Sequence, residues 1–240
     1  MANPIISRAE FTVSNQPLTA RGVANKTAFL LAISVISALA FFGYCVSARI
    51  SYGFINAMSL GSILLAFGLS VFIGFRPHMA KTLAIPFAIL EGVVVGAISL
   101  FTARLDPSLP VTAMLSTFAT GAVMLALYRA RVVKVTQKFR SIMVSAILAV
   151  MVVYLLQIFL SIFFHNSIPG LFDGGALAIG FSLFVVVLAS FSLLLDFDNI
   201  ERAQAAGVDE SYEWVLSVGI LSTLVWMYIE FVRLLRSLQN

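Results

Sequence analysis

Charge is what this chain has least of. Asp, Glu, Lys and Arg make up 11% of its residues, against about 25% in soluble domains, so it cannot cover itself with the polar surface that a water-soluble fold needs. Cysteine is scarcer still: Cys45 stands alone, which excludes an intrachain disulfide and a cysteine metal cluster, and it reads as a small buried apolar residue. The two histidines, His78 and His165, form no H-E-x-x-H pair and fall in loops or at helix ends, too few for an intramembrane zinc hydrolase. A glycine-rich phosphate loop and a G-x-S-x-G elbow are both missing. Ser116, Thr120, Ser141 and Thr223 have no histidine base at a matching depth and read as hydrogen bonders between helices. The chain is therefore expected to be no enzyme and to carry no cofactor. It lacks a basic patch interleaved with aromatics, so no nucleic acid is expected as a partner. No cleavable signal is evident either, because the first apolar run begins late and is as long as a full span.

Apolar residues are what the chain has instead: 60% are hydrophobic and mean hydropathy is +1.02. The fold expected is an all-α, polytopic membrane protein. Seven runs are long enough to cross about 30 Å of hydrocarbon as helices of roughly 20 residues. They lie near Thr27–Ala48, Gly53–Phe75, Thr82–Ala103, Val111–Tyr128, Ser141–Phe164, Gly175–Leu195 and Tyr212–Leu235. Residues 27–240 then form one transmembrane domain, and residues 1–26, polar and rich in Ser, Thr and Asn, a flexible tail. Eleven of the 15 basic residues fall in the tail and in alternate loops, five of them between Arg129 and Arg140, and four on the opposite side. By the positive-inside rule the N-terminus is cytoplasmic and the C-terminus external. The net charge of +4 accordingly reflects topology and contact with anionic lipid headgroups.

Against this background a few carboxylates stand out. Glu91 lies halfway along the third run, in F-A-I-L-E-G-V-V-V-G-A-I-S, where an acidic side chain is costly unless it faces the bundle interior or a watery cavity. Gly92 and Gly96, four apart, would let a neighbouring backbone approach that helix. Asp196 and Asp198, in L-L-L-D-F-D-N-I-E-R, fall where the sixth run reaches the cytoplasmic face, as a site residue pair or as markers of the water interface. Glu230 lies inside the seventh, as a functional carboxylate or as an i,i+3 partner of Arg233. Two carboxylates held close in a low dielectric tend to share one proton, and when deprotonated they offer the hard oxygens that Ca²⁺ takes. One obstacle stands in the way of pairing Asp198 with Glu230: Glu230 is about 27 Å along a helix that starts at Tyr212. An interfacial turn ending at Gly219 would shorten that distance. Arg76, at the end of the second run, could act as a latch on Asp196 or Asp198, or snorkel at the interface.

These segments, with L-Y-R-A-R-V-V-K-V-T-Q-K-F-R from Leu127, G-F-S-L-F-V-V-V-L-A-S-F-S-L-L-L-D-F-D-N-I-E from Gly180 and the closing Y-E-W through L-L-R-S-L, resemble the Bax inhibitor-1 family, the transmembrane Bax inhibitor motif proteins, in its bacterial branch. The resemblance implies a seven-helix bundle with the last helix held centrally. It also implies a pH-sensitive Ca²⁺ leak in the bacterial cytoplasmic membrane, gated by a carboxylate pair between the sixth and seventh helices. Carried over, the sensor is Asp198 or Asp196 with Glu230, which would also be the Ca²⁺ ligands; Glu91 matches the family's E-G motif and Arg76 its latch arginine. The rival expectation is a non-conducting protein that binds another membrane complex, such as a quality-control protease.

Overall fold

The computed structural model describes residues 17–164, 168–171 and 175–239; His165 and residues 1–16 of the expected tail lie outside them. Seven helices account for nearly all of it: α1 (Ala20–Ser47), α2 (Tyr52–Phe75), α3 (Ala80–Ala103), α4 (Leu109–Arg129), α5 (Gln137–Phe164), α6 (Ala176–Ala205) and α7 (Tyr212–Gln239). All seven contain stretches long and apolar enough to cross a membrane. Among the described residues there is no strand beyond one isolated bridge, Pro17 to Asp209.

Helix α7 is central. It packs on α1, α2, α3, α4 and α6, and its Glu230 reaches Tyr154 of α5. The core follows from that placement: Leu30, Phe87, Leu221 and Val225 fill the junction of α1, α3 and α7, while Leu193 and Met227 close the α6–α7 seam. Helices α2 and α5 instead expose rows of large apolar side chains, among them Leu64, Leu65, Leu155 and Phe159. That is the pattern of a surface solvated by lipid tails.

The helices run further than the apolar runs do. Helix α1 begins seven residues before Thr27, because Thr19 caps it by accepting the Gly22 N–H at 2.9 Å. Residues 17–26, read as the end of a free tail, are docked instead. Leu18 is 1% exposed and donates its N–H to the Val208 carbonyl at 2.8 Å. Glu213, at the start of α7, accepts the Thr19 N–H at 2.8 Å and the Lys26 ammonium at 2.7 Å. Helix α6 continues ten residues past Leu195, so Asp196 and Asp198 lie within it. Helix α7 is unbroken through Gly219, which removes the interfacial turn considered from sequence.

At the other end of the bundle, Asp106 in the turn between α3 and α4 accepts the Ser108 N–H and the Gln239 side-chain amide, both at 2.8 Å. These donors, the Ser108 backbone first, hold its carboxyl below the usual carboxylate range. The tie is therefore intact at neutral pH and is lost as pH falls through that lowered value.

The glycine spacing on α3 is used for a close crossing with α1. A Cβ on Gly92 would stand 2.3 Å from the Ser34 carbonyl oxygen and 2.6 Å from the Ser37 Cβ, and one on Gly96 2.7 Å from the Ala38 carbonyl oxygen. Those obstacles are mostly backbone and cannot swing aside. Ser37 exploits the approach by donating to the Ile89 carbonyl at 2.9 Å. Gly92→Ala should therefore destabilise the bundle by about 1–3 kcal/mol through overpacking. Gly43→Ala on α1, where nothing stands within 4 Å, should be neutral or slightly stabilising. Thermal unfolding of the two variants in one detergent checks the contrast.

Candidate functional site

Six carboxylates sit on the helices; Glu201, near the end of α6, is exposed and accepts the Tyr128 hydroxyl, and the bundle treats the other five, all at least partly buried, in two ways. Asp198, Glu213 and Glu230 each have a basic partner; Glu91 and Asp196 have none among the described residues.

Asp198 lies about 10 Å from the C-terminal end of α6. Its Oδ2 accepts Arg140 Nη2 at 2.6 Å from the first turn of α5 and Arg202 Nε at 2.5 Å from one turn along α6. Arg140 also donates to the Asn199 side chain at 2.8 Å. With 14% of its side chain exposed, Asp198 is a structural anchor that fixes the start of α5. Arg76 takes no part. It caps the end of α2 as an exposed residue with no hydrogen-bond or ion-pair partner for its side chain among the described residues, its backbone outside the helical region (φ −129°, ψ 69°) where Pro77 follows. The latch assigned to Arg76 is thus not formed, and the cations on Asp198 are Arg140 and Arg202.

Glu230 is 1% exposed and lies one-third of the way in from the far end of α7. It accepts the Tyr154 hydroxyl at 2.8 Å, Trp226 Nε1 at 3.2 Å and Arg233 Nη1 at 3.0 Å. Arg233 in turn covers the Tyr154 ring, its guanidinium carbon 4.6 Å from the centroid, and donates to the Tyr154 hydroxyl. Of the two readings of Glu230 from sequence, the i,i+3 pair with Arg233 is the one the geometry contains. The α6 and α7 ends at residues 205 and 212 share one face of the membrane, which puts Asp198 and Glu230 about 16 Å apart in depth. Each is held by its own donors, a basic side chain among them. The expected Asp198–Glu230 pair, and with it a Ca²⁺ site shared between them, is not formed, and no cluster of three or more His, Cys, Asp or Glu side chains occurs among the described residues.

The α6 carboxylate that does meet α7 is Asp196, and its partner there is a hydroxyl: Thr223 Oγ1 donates at 2.8 Å while also lying 3.1 Å from the Gly219 carbonyl. One donor leaves Asp196 with unused acceptor capacity. Glu91 sits at the middle of α3, half-buried, on the face that also carries Ala84, Phe87 and Ala88, the residues packed toward α7. No hydrogen bond reaches its carboxyl among the described residues. Pro86, which lacks an N–H, interrupts the ladder of α3 a little over one turn before it.

Three contributors were not singled out from sequence. Arg140 counted only as a positive-inside charge, although it begins the fifth helix on the face where the sixth ends. Tyr154, a phenol in the middle of an apolar run, signals a buried partner because its hydroxyl must be satisfied. Glu213 stands next to Trp214 in the Y-E-W string and carries no local sign that residue 26 will reach it.

A family model described as Bax inhibitor 1 like matches residues 3–240. No curated protein matches this chain. With seven membrane-length helices, a central last helix and a match over essentially the whole sequence, the chain belongs to the Bax inhibitor 1 like family.

Proposed function

We propose that this protein is a passive, pH-sensitive leak for Ca²⁺ in a bacterial cytoplasmic membrane, without enzymatic activity, and that Glu91 and Asp196 are the carboxylates a permeating ion meets. One observation carries the choice of residues: these two membrane-level carboxylates lack a cationic partner among the described residues, whereas Asp198 and Glu230 are neutralised by arginines. A carboxylate at membrane depth without a counter-ion is costly, and a mobile cation or a proton relieves that cost. Both compete for the same oxygens. Ca²⁺ flux should then fall as acid protonates them, the opposite of what release of an Arg76 latch would give.

Purified protein in liposomes loaded with a Ca²⁺ indicator tests this. The expected result is a leak above that of empty liposomes, several-fold larger at pH 8 than at pH 5.5. Absence of flux at every pH would favour the non-conducting reading, a membrane protein that binds and regulates another complex. Orientation is checked separately: reporter fusions within Arg129–Arg140 should read cytoplasmic and a fusion after Asn240 external.

A further inference from the structure

Helices α1 and α4 each pack on α3 and α7 without a packed seam of their own, and a cleft of about 290 Å³ opens between them. Leu224 and Tyr228 of α7 and Ser99 of α3 line its floor, and Val35 of α1 and Met114 of α4 its walls. Along α1 the lining runs from Leu31 to Phe42, about 16 Å at 1.5 Å per residue. Its outer end is Pro107, in the turn between α3 and α4. It therefore reaches from one edge of the bilayer to about its midplane, half of a hydrocarbon core about 30 Å thick.

Water is a poor occupant. A buried water needs two to four polar partners, and most of the hydroxyls in the lining are already used: Ser99 and Tyr228 share a hydrogen bond of 2.7 Å, Ser99 also bonds the Val95 carbonyl at 2.7 Å, and Thr117 bonds the Ala113 carbonyl at 2.8 Å, so Ser34 is left as a single partner. No charged side chain lines the cleft, so it offers a cation nothing and is separate from the carboxylates proposed for the leak. An empty cleft is also unfavourable, since its walls would forfeit dispersion contacts. At its mouth Leu39, Val111 and Phe118 are exposed, and the opening is continuous with the apolar surface that α2 and α5 also turn to lipid.

We propose that this cleft is a lipid site which holds one acyl chain of a phospholipid from the adjoining leaflet, lying along α1 and α4 with its methylenes against Leu224 and Tyr228 of α7. The chain is an ordered ligand, distinct from the exchanging lipid shell, because its contacts include residues of the central helix. Leu224 is half-buried and Tyr228 6% exposed, and both face the cleft, so an acyl chain reaches them by entering it.

The test uses the full chain in liposomes doped with a phosphatidylcholine that carries a diazirine midway along one acyl chain. After photolysis, adducts are mapped by peptide mass spectrometry. Leu224 and Tyr228 should be labelled well above Leu193 and Met227, which are buried away from the cleft, with Leu155 on the exposed face of α5 as the reference for the lipid shell. The double variant Val35→Trp, Met114→Trp, which fills the cleft from both walls, should cut floor labelling at least five-fold and leave Leu155 labelling unchanged. Constancy at Leu155 excludes a general loss of fold, and a single variant, Val35→Trp, gives an intermediate reading if the double variant does not assemble. An unlabelled floor, or floor adducts indifferent to the tryptophans, would overturn the assignment.

Discussion

Replacing Glu230 by leucine should cost the folded bundle about 3–5 kcal/mol, the range found when one member of a buried ion pair is removed and the other is left behind. Glu230 is 1% exposed and gathers three donors from two helices. With the carboxylate gone, Arg233 and the Tyr154 hydroxyl lose this acceptor while most of their desolvation remains, and one of the polar ties between α5 and α7 is broken. Glu230→Gln keeps one acceptor oxygen and should lose less. Thermal unfolding in detergent, followed by helicity, separates the two. The same measurement addresses the pairing expected from the family: Asp198→Asn should also destabilise, through Arg140 and Arg202, and the double variant should equal the sum of the singles within about 0.5 kcal/mol, because the sites share no partner. A larger coupling energy would mean that the two carboxylates meet after all. An unperturbed Glu230→Leu bundle would mean that the ion pair with Arg233 is replaceable by water or lipid.

Hydropathy made the number of helices and their order legible, since seven apolar runs of spanning length have few other solutions in a bilayer. It did not mark where the helices end. Past Leu195 the run D-F-D-N-I-E-R-A-Q-A turns polar, yet Glu, Arg, Gln and Ala are good helix formers, and Ile200 and Ala203 continue the buried face of α6. Asp196 and Asp198 were therefore placed at a helix exit when they lie about two and a half and about two turns inside one. At the N-terminus the error has the same origin: Leu18 and Val23 are too sparse to register as an apolar run, but both are buried against α6 and α7.

The site was legible as a set of residue types and not as a set of pairs. The cost of a mid-membrane carboxylate identifies Glu91 from the sequence alone, and Gly92 and Gly96 announce the α1 crossing that the fold contains. Which donor from another helix serves which carboxylate depends on rotations and depths of residues 58 and 76 positions apart, Arg140 with Asp198 and Tyr154 with Glu230. The family pattern suggested Arg76 because it sits on the same face as Asp198. Pro77 turns the chain away there, and Arg140, at an equivalent depth on a helix that packs against α6, takes its place.

Glu91→Gln should lower Ca²⁺ flux in liposomes about ten-fold or more while leaving thermal stability within about 0.5 kcal/mol of the parent. Glutamine has nearly the shape of glutamate and keeps its acceptor oxygen, so packing against Phe87 and Ala88 is preserved. What disappears is a charge that no side chain balances among the described residues, and a mobile cation is then the partner that loses most: a ten-fold fall in flux corresponds to about 1.4 kcal/mol of interaction. The stability arm separates this from a structural role, because a carboxylate that held the bundle together would show in unfolding, as Glu230 should. The pH arm adds a second check. If Glu91 is where proton and Ca²⁺ compete, the variant should lose most of the parent's rise in flux between pH 5.5 and pH 8, and Asp196→Asn should remove the remainder. Flux that is unchanged in Glu91→Gln at every pH would take Glu91 off the ion path and leave Asp196, beside Thr223, as the carboxylate to examine.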